Sequence, residues 1–182
     1  VSRYEPVFVD VLSSYDFDTP FNPDEINIDA VFSCPDRTSL TVPGFYYCGA
    51  DDARWQVRFT PRQTGSYYFN VKLFVDGVMV EQSENYRFDV TESHKDGFLS
   101  INPDSFYTLK FDSGRRFRGV GNNSAGERFA RIASNGEPFS YENYFSMLDA
   151  NNCNFVRVWM SCMNKPIEWI DEGLGRYDPV NA

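Results

Sequence analysis

Side chains that can do chemistry are concentrated in the last third of the sequence. Glu168, Asp171 and Glu172 form a carboxylate cluster, and paired carboxylates can act as general acid and base. They lie beside glycines, however, in a stretch that predicts a solvated loop. Because His94 is the only histidine, the sequence predicts neither a Ser-His-Asp triad nor a multi-histidine metal site. The four cysteines form no CxxC motif, so we expect no bound metal and no cofactor.

Arg157 is the most informative single residue. It lies in NFVRVWMS (Asn154–Ser161), an almost continuous apolar run that is typical of a strand buried on both faces. Strand alternation places Arg157 on the same face as Phe155 and Trp159. A buried guanidinium needs a carboxylate partner. Arg157 therefore predicts either an active-site ion pair or an ordinary structural one.

Two tryptophans and two asparagines are further candidates for ligand contacts. Trp159 and Trp169 could be walls on which sugar rings stack, or they could pack in the core and anchor a loop. Asn122 and Asn123 end a predicted strand. They could hydrogen-bond a sugar hydroxyl or simply form a turn.

The elements that must position these residues are a strand, a helix and a second strand. RRFRGVGNN (Arg115–Asn123) predicts the first strand, and Asn154–Ser161 predicts the second. Between them, SYENYFSMLDAN (Ser140–Asn151) predicts a helix. The apolar residues on one helical face are Tyr141, Tyr144, Phe145 and Leu148. This order requires a parallel sheet, most of which we expect to lie outside residues 1–182.

The first half of the chain predicts a mainly β fold. About seven alternating segments occur before Glu92, and Ile26–Ser33 is the most regular of them. An Asp76-Gly77 pair predicts a hairpin turn, and Tyr67 predicts a tyrosine corner. We therefore expect an immunoglobulin-like β-sandwich. The predicted domains are the sandwich over residues 1–94 and a linker hairpin with the strand-helix-strand segment over residues 95–182.

Composition and charge exclude two classes of partner. The chain has 182 residues, of which 42% are hydrophobic, and a formal net charge of −9. Such an acidic chain without a Lys/Arg cluster is not expected to bind nucleic acid. No apolar run is long enough to span a membrane, and the first residues show no leader sequence. Cys34 and Cys48 flank a short strand-like segment and could form a disulfide or remain free.

Several motifs, in a fixed order, resemble a known group of bacterial enzymes. VPGFY (Val42–Tyr46) and the run Trp55–Tyr68 resemble the immunoglobulin-like module that precedes the catalytic barrel in many glycoside hydrolases. Residues 97–122 are similar to the opening of those barrels. Asn154–Met160 and Ile167–Pro179 resemble the second barrel strand and the loop after it.

This resemblance implies a (β/α)₈ barrel related to family 5 and other clan-A glycosidases, cut off after its second strand. Such a barrel needs about 250 residues. The two catalytic glutamates of these enzymes come from later strands, and their arginine at the position of Arg157 supports the nucleophile carboxylate. The resemblance also implies secretion and a polysaccharide or oligosaccharide substrate. The remainder of the barrel would be in the same or another chain.

Two other functions are compatible with the sequence. The sandwich could be a non-catalytic carbohydrate-binding or adhesion module, or a structural module that stabilises a partner. The binding function predicts a flat row of exposed aromatic rings. The candidates for this row are Tyr46, Tyr47, Tyr67 and Tyr68.

Overall fold

The computed structural model describes residues 1–13, 15, 20–48, 53–124 and 141–159. The chain forms two compact units, which are described separately. The first comprises Val1–Ile101 and Lys110–Arg115, and the second comprises Asn102–Leu109 and Arg116–Ala182. The domain boundary near residue 94 stays a prediction.

The first unit is built on two antiparallel sheets that form a sandwich. Eight strands contribute to it: β1 (Val7–Val11), β2 (Ile26–Ser33), β3 (Ser39–Pro43), β4 (Phe45–Cys48), β5 (Ala53–Phe59), β6 (Gly65–Val75), β7 (Val78–Gln82) and β8 (Tyr86–Val90). One sheet has the order β1-β5-β4. The other has the order β3-β2-β6-β7, with β8 also paired to β6. The mainly β, sandwich-type fold is therefore confirmed, with eight strands rather than about seven.

The core lies between the two sheets and follows from strand alternation. Every second residue of β2 is buried, and β5 and β6 contribute their inward faces. The buried apolar side chains are Ile26, Ile28, Ala30, Phe32, Trp55, Val57, Phe59, Tyr67, Val71, Leu73 and Val90. Phe32 stacks on Phe59 across the sandwich, with 4.0 Å between ring centroids. Burying each large apolar side chain contributes about 1.5–3 kcal/mol.

Two predicted local features of the sandwich are present. Asp76 and Gly77 connect β6 to β7 with φ angles of 50° and 74°, as a two-residue hairpin with positive φ at both positions requires. The Tyr67 hydroxyl donates to the Gln63 carbonyl at 3.2 Å and accepts from the Gln63 amide at 3.1 Å. This is the tyrosine corner. Cys34 is a free, half-buried thiol, and the side chain of Cys48, its predicted alternative partner, lies outside the part of the chain that the structure describes.

The segment after the sandwich is attached to it by ion pairs and ring contacts. Asp112 accepts a hydrogen bond from Arg62 at 2.5 Å and another from the Phe98 amide at 3.1 Å. Burial raises the pKa of Asp112, but these hydrogen bonds outweigh it and the pKa lies below its usual value. Gly97 has a φ of 83°, and a Cβ there would lie 2.6 Å from the Tyr4 ring. The chain passes Tyr4 so closely that only glycine fits.

The strand predicted over Arg115–Asn123 is two shorter strands. The strands of this region are β9 (Leu99–Ile101), β10 (Leu109–Phe111), β11 (Arg116–Phe117) and β12 (Gly121–Ser124). The break at residues 118–120 has a physical cause in Asn154. Its side chain donates to the Arg118 carbonyl at 3.0 Å and accepts from the Val120 amide at 2.8 Å.

The second unit contains the predicted strand-helix-strand arrangement. Helix α1 (Tyr141–Ala150) lies between β12 and β13 (Phe155–Val158), and the two strands pair in parallel. Ser140, the first residue of the predicted helix, lies outside the described residues. Within the described part of the chain, no helix is long and apolar enough to cross a membrane.

Candidate functional site

The parallel strands of the second unit bring three of the predicted site residues together. The register of β12 and β13 places Asn123 opposite Arg157. Beyond the end of β13, the Trp159 indole Nε1 donates to Asn123 Oδ1 at 2.8 Å. The Arg157 guanidinium lies over the Trp159 ring at 5.7 Å, within cation–π range. An amide, a guanidinium and an indole thus form one continuous polar and aromatic surface.

Strand alternation places this surface on the open face of the pair. Phe155 is 51% exposed and Trp159 46%, and Arg157 is also exposed. Val156 and Val158 are half-buried on the opposite face. Among the described residues, no carboxylate forms an ion pair with Arg157. Its predicted role as a support for a catalytic carboxylate stays a prediction.

The other site predictions have different outcomes. Asn122 and Asn123 lie inside β12 rather than at a turn after it, and Asn122 Oδ1 accepts from the Asn123 amide at 2.7 Å. Trp169 and the carboxylate cluster Glu168–Glu172 lie outside the described residues. Within the described residues, no group of three or more His, Cys, Asp or Glu side chains could hold a metal ion.

The predicted row of exposed tyrosines is wrong. Tyr67 is only 1% exposed, because its hydroxyl closes the tyrosine corner and its ring stacks on Phe88. Tyr46 packs against the core. Tyr47 and Tyr68 are exposed, but they lie on strands of different sheets. These four side chains therefore cannot form one flat platform.

A different aromatic surface, which the sequence analysis did not identify, covers the outer face of the sheet β1-β5-β4. We call it the arginine–aromatic face; its members are Phe8, Asp10, Phe45, Tyr47, Arg54, Gln56 and Arg58. Arg58 lies between two rings, 4.7 Å from the Phe45 centroid and 5.5 Å from the Phe8 centroid. Arg54 lies 4.9 Å from the Tyr47 ring. The sequence contains the pattern that predicts this face, because every second residue of β1 and β5 points away from the core.

A polar chain of hydrogen bonds runs across the middle of this face. Gln56, only 6% exposed, donates to Asp10 at 2.8 Å and accepts from Arg58 Nε at 3.2 Å. Asp10 also accepts from Arg54 Nε at 3.0 Å. The Gln56 amide and then Arg54 lower the pKa of Asp10 below its usual value. Asp10 is therefore a carboxylate at neutral pH, and it holds both Gln56 and Arg54 in place.

The first unit also contains a cleft of about 570 Å³. His94 lines it together with Tyr4 and Phe98. Asp96 and Arg115 line it as well, and they are joined by hydrogen bonds of 2.6 and 2.9 Å. Lys95 lines the cleft too and pairs with Glu5 at 3.2 Å, so each of these three charged side chains already has a partner of opposite charge.

Part of the chain matches a known domain family, and its fold is similar to that of a known protein. Residues 1–74 match the model of a domain of unknown function, DUF5060. The fold is similar to a crystal structure described as that of "a putative glycoside hydrolase" from Bacteroides vulgatus ATCC 8482, with a TM-score of 0.60 and 18% identity. The match covers 86% of this chain and 27% of that protein, so this chain spans about a quarter of its length. No curated protein matches the sequence.

Proposed function

We propose that this chain is the N-terminal part of a secreted, polysaccharide-degrading glycoside hydrolase, whose catalytic carboxylates lie outside residues 1–182. The sandwich is then an accessory domain. The segment β12-α1-β13 is the beginning of a catalytic (β/α) barrel of the clan-A type, which the rest of the barrel, in the same or another chain, completes.

The observation that carries this proposal is the parallel pairing of β12 with β13 across a helical connection. Parallel strands joined by a helix occur almost only in the larger sheets of α/β proteins, whose two faces are both covered. The match to about a quarter of a protein described as "a putative glycoside hydrolase" supports the same interpretation. Among the described strands, β12 and β13 pair only with each other and one face of the pair is exposed, which is unfavourable for an isolated pair.

In a barrel, residues at the carboxyl ends of the strands line the active site. Asn123, Arg157 and Trp159 all lie near the carboxyl ends of β12 and β13. The Trp159 ring offers a stacking surface for a sugar, and its bond to Asn123 fixes the ring plane. The Arg157 guanidinium would lower the pKa of an adjacent nucleophile carboxylate and keep it ionised.

The test uses a longer polypeptide that includes the sequence encoded after Ala182. We expect it to release reducing sugar from at least one of a panel of β-glucans, mannans and xylans. Arg157→Ala should lower kcat about tenfold or more, because loss of about 1.4 kcal/mol of transition-state stabilisation is a factor of ten. The matched control is Arg87→Ala, since Arg87 is an exposed arginine of the sandwich that pairs with Asp89 at 2.9 Å.

The 182-residue chain alone should release no sugar, because hydrolysis needs two carboxylates held about 5–10 Å apart across the bond. Two results would overturn the proposal. One is a longer polypeptide that is folded but inactive on the whole panel. The other is turnover by the 182-residue chain that disappears when Glu168 or Glu172 is changed to Gln, which would place the site within this chain.

A further inference from the structure

We propose that the arginine–aromatic face binds the carboxylate of a uronic-acid-containing oligosaccharide, with Arg58 as the anchor. This inference rests on the proposed function, since it names a sugar class for a polysaccharide-degrading enzyme. It concerns a surface of the sandwich, however, and it can be tested by binding without any hydrolysis.

The first argument is that Arg58 is held in a fixed orientation. Its guanidinium lies between the rings of Phe8 and Phe45. Its Nε donates to Gln56, which is nearly fully buried and is held in turn by Asp10. A long, flexible side chain normally loses entropy when it captures a ligand. Arg58 has already lost most of that freedom in the unbound protein.

The second argument is that the terminal amino groups of Arg58 form no hydrogen bond with any described residue. In the part of the chain that the structure describes, Arg58 contacts only Gln56 and the two rings, and no carboxylate neutralises it. Arg37, like Arg58, forms no ion pair with a described carboxylate, but the other arginines of the same unit do. Those that pair with a carboxylate are Arg3, Arg54, Arg62, Arg87 and Arg115.

The third argument is the chemistry that these groups select. A guanidinium with two free N–H donors in one plane matches a carboxylate in bidentate geometry. Phe8 and Phe45 lie on the two strands that flank β5, about 10 Å apart. They therefore provide apolar surface on both sides of the cation. A sugar ring that carries a carboxylate combines the apolar face and the anion that such a surface accommodates.

The experiment titrates the 182-residue chain with tetragalacturonate at low salt, by isothermal calorimetry. We expect saturable binding that weakens as salt is added. Arg58→Gln should weaken it about tenfold or more, as loss of a charge-assisted bidentate pair implies. The matched control, Arg87→Gln, removes an exposed arginine that also lies over a tyrosine ring, and it should leave the affinity unchanged.

Two ligand controls need no variant and keep the test valid if Arg58→Gln fails to fold. The methyl ester of tetragalacturonate and a neutral tetrasaccharide should each bind about tenfold more weakly or not at all. The proposal is overturned by absence of tetragalacturonate binding, by equal binding of the ester, or by unchanged affinity in Arg58→Gln. Equal binding of an oligoglutamate peptide would overturn the sugar assignment. None of these results depends on whether the longer polypeptide hydrolyses polysaccharide, so the two proposals can fail separately.

Discussion

Removing the hydroxyl of Tyr67 tests whether the tyrosine corner stabilises the sandwich. Tyr67→Phe keeps the buried ring and its contacts with Phe59 and Phe88, and it deletes only the two hydrogen bonds to the Gln63 backbone. Each hydrogen bond contributes about 1 kcal/mol. Because Gln63 is exposed, water can replace part of the loss. We therefore expect a destabilisation of about 1–2 kcal/mol, which lowers Tm by about 5–10 °C for a unit of this size.

The assay is thermal unfolding of the 182-residue chain, followed by circular dichroism at pH 7. Tyr68→Phe is the matched control, because Tyr68 is adjacent, 47% exposed and keeps its ring beside Arg87. Its Tm should change by no more than about 1 °C. Equal Tm shifts in the two variants, or no shift in Tyr67→Phe, would refute the reasoning.

The stability that the Tyr67 hydroxyl contributes should depend on pH. Burial raises the pKa of the Tyr67 hydroxyl. A raised pKa contributes stability that is present below the unfolded value, about 10, and is lost as the pH rises through the folded value. The difference in Tm between wild type and Tyr67→Phe should therefore narrow above about pH 10.

Three further predictions follow from the first unit. Hydrogen bonds, chiefly from the Thr38 hydroxyl, lower the pKa of Asp36 from 3.8 to about 2. Wild type should thus lose stability as the pH falls from about 4 to about 2, and Asp36→Asn should show a flatter urea-midpoint profile over that range. Gly97→Ala should lower Tm more than Gly77→Ala, because both glycines have positive φ but only a Cβ at residue 97 would clash; equal shifts would contradict the packing described. A fragment of residues 1–94 should unfold cooperatively with a β-type spectrum, and a disordered NMR spectrum would argue against that boundary.

Local alternation predicted the sandwich well where one face of a strand is buried. The bounds of β2 agree with the predicted segment because Ile26–Ser33 alternates without interruption. The hairpin at Asp76-Gly77 was equally predictable, since the turn type demands those residues. The prediction of one continuous strand over Arg115–Asn123 was wrong, and the reason cannot be read from the sequence of that segment. The side chain of Asn154, more than thirty residues away, occupies the backbone groups at 118 and 120.

The candidate sites were likewise predictable where neighbouring residues decide the arrangement, and unpredictable where contacts between distant residues decide it. Arg157 lies on β13 and Trp159 directly follows its last residue. The alternation of the strand, continued by one residue, places the two side chains on one face. The predicted row of exposed tyrosines was wrong because composition does not show which tyrosine ring packs inside the protein. Tyr67 is buried, and its hydroxyl bonds to the Gln63 carbonyl.

The arginine–aromatic face depends on strand order rather than on any single strand. Phe8, Phe45 and Arg58 belong to three strands, and they meet only because β5 lies between β1 and β4. In sequence order β4 and β5 are neighbours, but β2 and β3 lie between β1 and β4. A motif search along the chain therefore finds a lone arginine in an alternating strand. The sheet places that arginine beside two rings and a buried amide, and its terminal amino groups form no hydrogen bond with any described residue.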